Sequence, residues 1–158
     1  MFYGGRMNYA MLLVLAGVLL LTQATQDDIE EHYAERSSDE FYVMAANMQF
    51  YHHTLTLYAE RNKSIVGAPS DAALSLPSWY IKQPSIVGYV DSGAAFTACV
   101  GCSQAVLGRL MQLTKDSCLV GTVESNGSMR SKILGTLMSF PVSSSFPVGS
   151  VVYLSKGY

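Results

Sequence analysis

The stretch SDEFYVMAANMQFYHHTLTLYAER, residues 38–61, decides the reading of the chain. Phe41, Met44, Met48, Tyr51, Leu55 and Tyr58 recur in it at spacings of 3, 4, 3, 4 and 3. That rhythm places them on one stripe of an α-helix, which turns once per 3.6 residues. Val43, Phe50 and Leu57 lie beside the stripe and are expected to widen it. Ser37 followed three residues later by Glu40 matches a capping box, so the helix is expected from about Ser38 to Arg61. The pattern is too short for a coiled coil, which needs three or four heptads. Its apolar stripe should therefore rest on the chain's own sheet, with a helical partner as the alternative occupant.

Beyond this helix the punctuation changes. Gly67-Ala68-Pro69-Ser70 breaks it, and Pro77 and Pro84 keep residues 70–85 irregular. Within that loop, Leu76-Pro77-Ser78-Trp79-Tyr80 carries the only tryptophan. Two readings stay open for it: a plug folded onto the core, or an exposed contact patch made by Trp79 and Tyr80. Ile86 to Val90 and Ala95 to Val100 are rich in β-formers and flank Asp91-Ser92-Gly93, which predicts a hairpin. Ser103 to Leu113 is helical in pattern, with Val106, Leu110 and Leu113 on one face. Strands are expected at Cys118 to Val123, again after Asn126-Gly127, and in a closing segment from Gly149 to Ser155. The order gives an α+β fold, with a long amphipathic helix and then a mainly antiparallel sheet holding one inserted helix.

Ahead of the long helix, Tyr9 to Leu21 is an uninterrupted apolar run containing Leu12, Leu13, Leu15, Val18 and Leu19. As a helix it covers roughly 20 Å, at the lower limit for crossing a hydrocarbon core. A membrane anchor and a signal peptide cleaved after Ala24 both fit. Arg6 is the only charge before the run, and acidic residues crowd the segment after it, from Asp27 to Glu40. The distribution of basic residues puts the N-terminus in the cytoplasm and the rest across the membrane. Three parts are expected: the anchor or signal over 1–24, an acidic linker over 25–37, and an exported domain over 38–158.

Hydrophobic residues make up 49% of the chain, charged residues 14%, and the net charge is -2. There is material for one core and no basic stripe for nucleic acid. Cys99-Val100-Gly101-Cys102 is the one motif with a reaction attached. It stands where a strand gives way to a helix, a position that can activate a thiol. With Cys118 the cysteines number three, so a structural disulfide between Cys118 and one of the pair, with one thiol left over, is the simpler reading. His52 and His53, adjacent on the helix, are expected at the surface. No phosphate-binding loop, nucleophile elbow or zinc-protease signature occurs. A non-enzymatic protein without cofactor or metal is expected, and a periplasmic thiol–disulfide oxidoreductase using Cys99 and Cys102 is the rival.

From Met7 on, the chain resembles the PilM family of the thin (type IVb) pilus of IncI-type conjugative plasmids. The resemblance rests on Met7-Asn8-Tyr9-Ala10 with its apolar run, on Leu76-Pro77-Ser78-Trp79, and on Gly149-Ser150-Val151-Val152-Tyr153-Leu154. It implies an inner-membrane component of the pilus basal body or pilin-transport apparatus, with other pilus-assembly proteins and membrane lipid as partners. It carries over no catalytic residue. The longer actin-like protein of the same short name has nucleotide-binding motifs that this chain lacks. A secreted or minor pilin-like subunit is a further alternative. Cutting after Gly5, however, would place Ala10 fifth, where prepilins carry glutamate.

Overall fold

The computed structural model describes residues 38–135, 137–138 and 146–155. The apolar run at Tyr9–Leu21 and the acidic linker lie outside the described residues. The chain divides into the units Met1–Asp39 and Glu40–Tyr158, and the second holds the sheet. Among the described residues, no helix is long and apolar enough to cross a membrane.

Helix α1 spans 38–61. It is followed by β1 (Val66–Gly67), β2 (Ile86–Asp91), β3 (Ala94–Cys99), α2 (Gln104–Leu113), β4 (Val120–Val123), β5 (Met129–Ser131), β6 (Leu137–Met138) and β7 (Val151–Ser155). The strands form one seven-stranded sheet in the order β1-β2-β3-β7-β4-β5-β6, and every pairing is antiparallel. The fold is α+β, as the order of patterns implied.

Local chemistry explains the hairpins. Ser92 and Gly93 both take positive φ, 50° and 85°, which a two-residue turn between right-twisted strands requires. They set Asp91 opposite Ala94 and fix the whole β2–β3 register. Between β4 and β5, Gly127 takes φ 74° while Asn126 accepts from the Ser128 backbone N–H at 3.0 Å. Asn-Gly there closes a longer link, because the Asn side chain is engaged in holding the turn.

Strand alternation sorts the core into two faces. Ile86, Val90, Ala95, Cys99, Val120 and Val151 pack beneath Met48, Tyr51, Leu55 and the α2 residues Val106, Leu107, Leu110 and Met111. Phe96, Ala98, Val152 and Leu154 pack on the opposite face with Val123, Met129 and Phe146.

The buried arc of α1 leans away from the side expected to widen it. Ala45, His52 and Ala59 are buried beside Met48, Tyr51 and Leu55, whereas Val43 and Leu57 are exposed and Phe50 is half-buried. Small residues at 45 and 59 let the helix approach the sheet, and the bulky series at 43, 50 and 57 is turned outward. Histidine 52 is a second correction: it is buried, and only His53 faces out.

Candidate functional site

The outward side of α1 and the loop beside it make the candidate site. Asn47 binds the loop to the helix. Its Nδ2 donates to the Ile81 carbonyl at 2.9 Å, and the Tyr80 hydroxyl donates to Asn47 Oδ1 at 2.6 Å. Burial chiefly, with the charge of Asp71 and the neighbouring Tyr51 phenol, raises the Tyr80 phenol above its ordinary range. It therefore stays protonated as the donor. Lys82 adds an ion pair to Asp71 at 2.6 Å. Phe50 then meets two rings, Tyr80 at 4.8 Å and Trp79 at 5.0 Å between centroids.

This clamp presents apolar surface to the outside. Trp79 is 69% exposed and Ile81 77%, with Val43, Leu57 and Tyr42 also exposed along the helix. Isolated exposed apolar residues are ordinary, but a contiguous group around a fixed aromatic cluster marks a contact surface. A pocket of about 400 Å³ lies beside it, between α1 and the loop, lined by Phe50, Thr54, Leu57, Leu74 and Pro77 among others. Trp79 is exposed and is not a plug folded into the core. Tyr80 is the hinge that fixes it.

On the other flank of α1 a wider groove of about 720 Å³ runs over the end of β7, lined by Phe50, His53, Thr56, Glu60, Tyr153 and Ser155 among others. Its floor is the buried histidine. His52 Nδ1 lies 3.0 Å from Thr97 Oγ1, and its ring stacks on Tyr153 at 3.9 Å. Burial, with a smaller contribution from His53, pushes the imidazole pKa down to about 3 against a hydrogen bond to the Leu154 backbone. Neutral at physiological pH, His52 is a core group; Thr97 and Tyr153 hold it in place.

The cysteines are paired otherwise than expected. Cys99 and Cys102 form the disulfide, with Cα atoms 5.6 Å apart, within the usual range for a bridge. Cys118 is the exposed free thiol, left over because it stands beyond α2, in the loop before β4. Cys99 is fully buried at the end of β3, its sulfur 3.6 Å from the Ser85 hydroxyl. A substrate disulfide has no approach to it, and the first residue of α2 lies five positions on, at Gln104. The arrangement suits a staple between strand and helix. Closing so short a loop is worth about 2 kcal/mol. Urea unfolding of a Cys99→Ser/Cys102→Ser variant should show that loss, and alkylation without reductant should label Cys118 alone. Labelling at Cys99 or Cys102 instead would contradict the pairing.

Among the described residues, no three His, Cys, Asp or Glu side chains are grouped to hold a metal ion. Sequence reasoning named Trp79 and Tyr80 but missed Phe50, Ile81 and Asn47. The heptad spacing of 43, 50 and 57, one residue ahead of the inward arc at each turn, was the signal that could have found the helix side.

The family model for PilM matches residues 11–154. The crystal structure of the PilM protein from Escherichia coli B7A is 19% identical, with a TM-score of 0.59, over 75% of this chain and 94% of that one. That of the PilM protein from Pseudomonas aeruginosa 2192 is 28% identical, with a TM-score of 0.48, over 75% of this chain and 95% of that one. The first of these likenesses is one of fold. No curated protein matches the chain.

Proposed function

The chain belongs to the PilM family of pilus-associated proteins, and from that membership we propose that it is a non-enzymatic component of a conjugative type IV (thin) pilus assembly apparatus. It works through protein–protein contacts. In this reading the apolar run at Tyr9–Leu21 is a single-pass anchor in the bacterial inner membrane, the N-terminus is cytoplasmic and the folded domain is periplasmic. Arg6 ahead of the run and the near absence of opposing basic residues after it, where Arg36 stands alone among the acidic residues up to Glu40, support the orientation.

The observation that carries the proposal is the exposed apolar face of Trp79 and Ile81, backed by the half-buried Phe50 ring. An apolar face held rigid by hydrogen bonds loses little side-chain entropy on docking, which is what a recognition surface needs. The burial of Cys99 works against the oxidoreductase reading, since attack by thiolate requires access.

Two measurements test it. Alkaline extraction of membranes should leave the chain in the pellet, and its release intact would remove the anchor. A Trp79→Ala/Ile81→Ser variant should accumulate normally yet lower piliation by about tenfold, the effect of losing one anchor residue in a contact. Undiminished piliation would dismiss this face as the working surface.

A further inference from the structure

The outward stripe of α1 is symmetric about its centre in its apolar residues and opposite in charge at its two ends. Taking Phe50 as the centre, a helix turning about 100° per residue puts Val43 and Leu57 within about 20° of it on either side. Asp39 and Arg61 fall on that same line. Residues 43 and 57 are equidistant from 50, and so are 39 and 61. The stripe is therefore acidic, apolar, aromatic, apolar, basic, in mirror order of size and in opposite order of charge. Neither Asp39 nor Arg61 has an ion-pair partner among the described residues.

We infer that this stripe is an isologous interface, on which α1 of a second copy lies antiparallel about a twofold axis passing close to Phe50. This deepens the protein–protein reading above and rests on it, because it names the partner that the apolar face takes. An antiparallel pair sets Val43 against Leu57 of the second copy and Asp39 against its Arg61, at both ends at once. A parallel pair would set each acid against an acid and each base against a base. The helix dipoles oppose favourably in the antiparallel arrangement as well. Glu40 and Glu60 lie about 80° to opposite sides of the line, so twofold symmetry keeps them on different flanks.

The flanking loop fits the same axis. Asn47 and Phe50 fix the Trp79 loop near the middle of α1, and the pocket of about 400 Å³ lies on the same flank, further along. Antiparallel packing brings the Trp79 side chain of each copy to the mouth of the other's pocket. Aromatic residues near the centre of an interface, seated in a pocket, carry most of the binding energy.

The test uses the full chain in mild detergent. Scattering mass should correspond to a dimer, and Phe50→Glu should raise the dissociation constant about thirtyfold or more. Asp39→Arg and Arg61→Asp should each weaken association, and the double variant should restore it. In a Cys118→Ser background, Phe50→Cys should cross-link to itself. Val43→Cys and Leu57→Cys should cross-link only when the two are mixed, since like positions stand about 20 Å apart. Trp79, the only tryptophan, should shift its emission to the blue with protein concentration.

A monomer at every concentration overturns the inference, and so does self-cross-linking of Val43→Cys. A Trp79 shift produced by vesicles while the chain stays monomeric also overturns it, in favour of a lipid surface. If the dimer fails while Trp79→Ala/Ile81→Ser still lowers piliation, the face serves another pilus protein. If the dimer forms and piliation is untouched by that variant, the functional reading fails instead.

Discussion

Lowering the pH from 7 to 4 should cost the folded domain about 3 kcal/mol through His52 alone. The imidazole is 4% exposed and its pKa in the fold is pushed down to about 3, against roughly 6.5 in the unfolded chain. Between those values the unfolded chain takes up a proton that the folded chain refuses, so stability falls as the pH falls. Above about pH 6.5 both states are neutral at this site and the contribution is flat. Below about pH 3 both are charged and no further loss accrues. Carboxylates also titrate in this window, so the measurement is a comparison. Urea midpoints at pH 7, 5 and 4 should fall more steeply for the natural chain than for His52→Gln, which keeps a polar group for Thr97 and has no proton to gain. Parallel curves for the two proteins would show that His52 is reached by water in the fold. The cause of the effect is placement: Tyr153 stacks on one side, Thr97 sits beneath, and burial keeps from the charged ring the water that would solvate it.

His52 also shows where reading from sequence stops. Two adjacent histidines on a helix look alike in a string, and a turn of about 100° separates a core group from a surface one. Periodicity located the body of α1 and its end at Arg61, because apolar spacing is a property of neighbours; the expected cap at Ser37 lies outside the described residues. The same holds for the β2–β3 hairpin, whose register is set by Ser92 and Gly93 alone. The place of β7 was not legible. It lies between β3 and β4, pairing Val151 with Cys99 and Tyr153 with Val120, and such pairings depend on which edges are left open once the rest has folded. The stripe from Phe41 to Tyr58 packs as expected, but the flank that widens it was misjudged for a related reason. Val43, Phe50 and Leu57 are as apolar as the buried series, and only the steric allowance of Ala45 and Ala59 decides which arc meets the sheet.

The candidate site divides along the same line. Trp79 and Tyr80 stood out by composition, as bulky aromatics in a loop broken by prolines. Phe50 and Ile81 are apolar residues among many, and they matter through Asn47, whose side chain reaches across from a helix to a loop 34 residues away. A mid-helix asparagine inside an apolar pattern is a poor helix former, and that misfit is the clue in the sequence. The cysteines gave the reverse case. Their number predicted one bridge and one thiol left over, but the partner of the bridge depended on burial that no count supplies.

Gly88→Ala should destabilise the domain by about 3 kcal/mol, the upper end for overpacking a core. A Cβ at this strand position would stand 2.7 Å from Tyr51 Cε1 and 2.9 Å from Leu55 Cδ2, below any ordinary contact. Both neighbours are fully buried, so neither can swing into solvent, and the helix must lift from β2. Shortening a neighbour should relieve part of this. Leu55→Ala alone should cost 2–5 kcal/mol, and Gly88→Ala in that background should cost about 1 kcal/mol less than it does by itself. The relief is incomplete because Tyr51 still occupies the space. Gly108→Ala is the matching contrast, since its Cβ would meet nothing within 4 Å on the exposed side of α2. There the change should stabilise by up to about 1 kcal/mol through helix propensity. Urea midpoints for the four variants separate the effects. A Gly88→Ala midpoint equal to the natural one, or costs that simply add in the double variant, would mean that α1 does not rest on β2 through Tyr51 and Leu55.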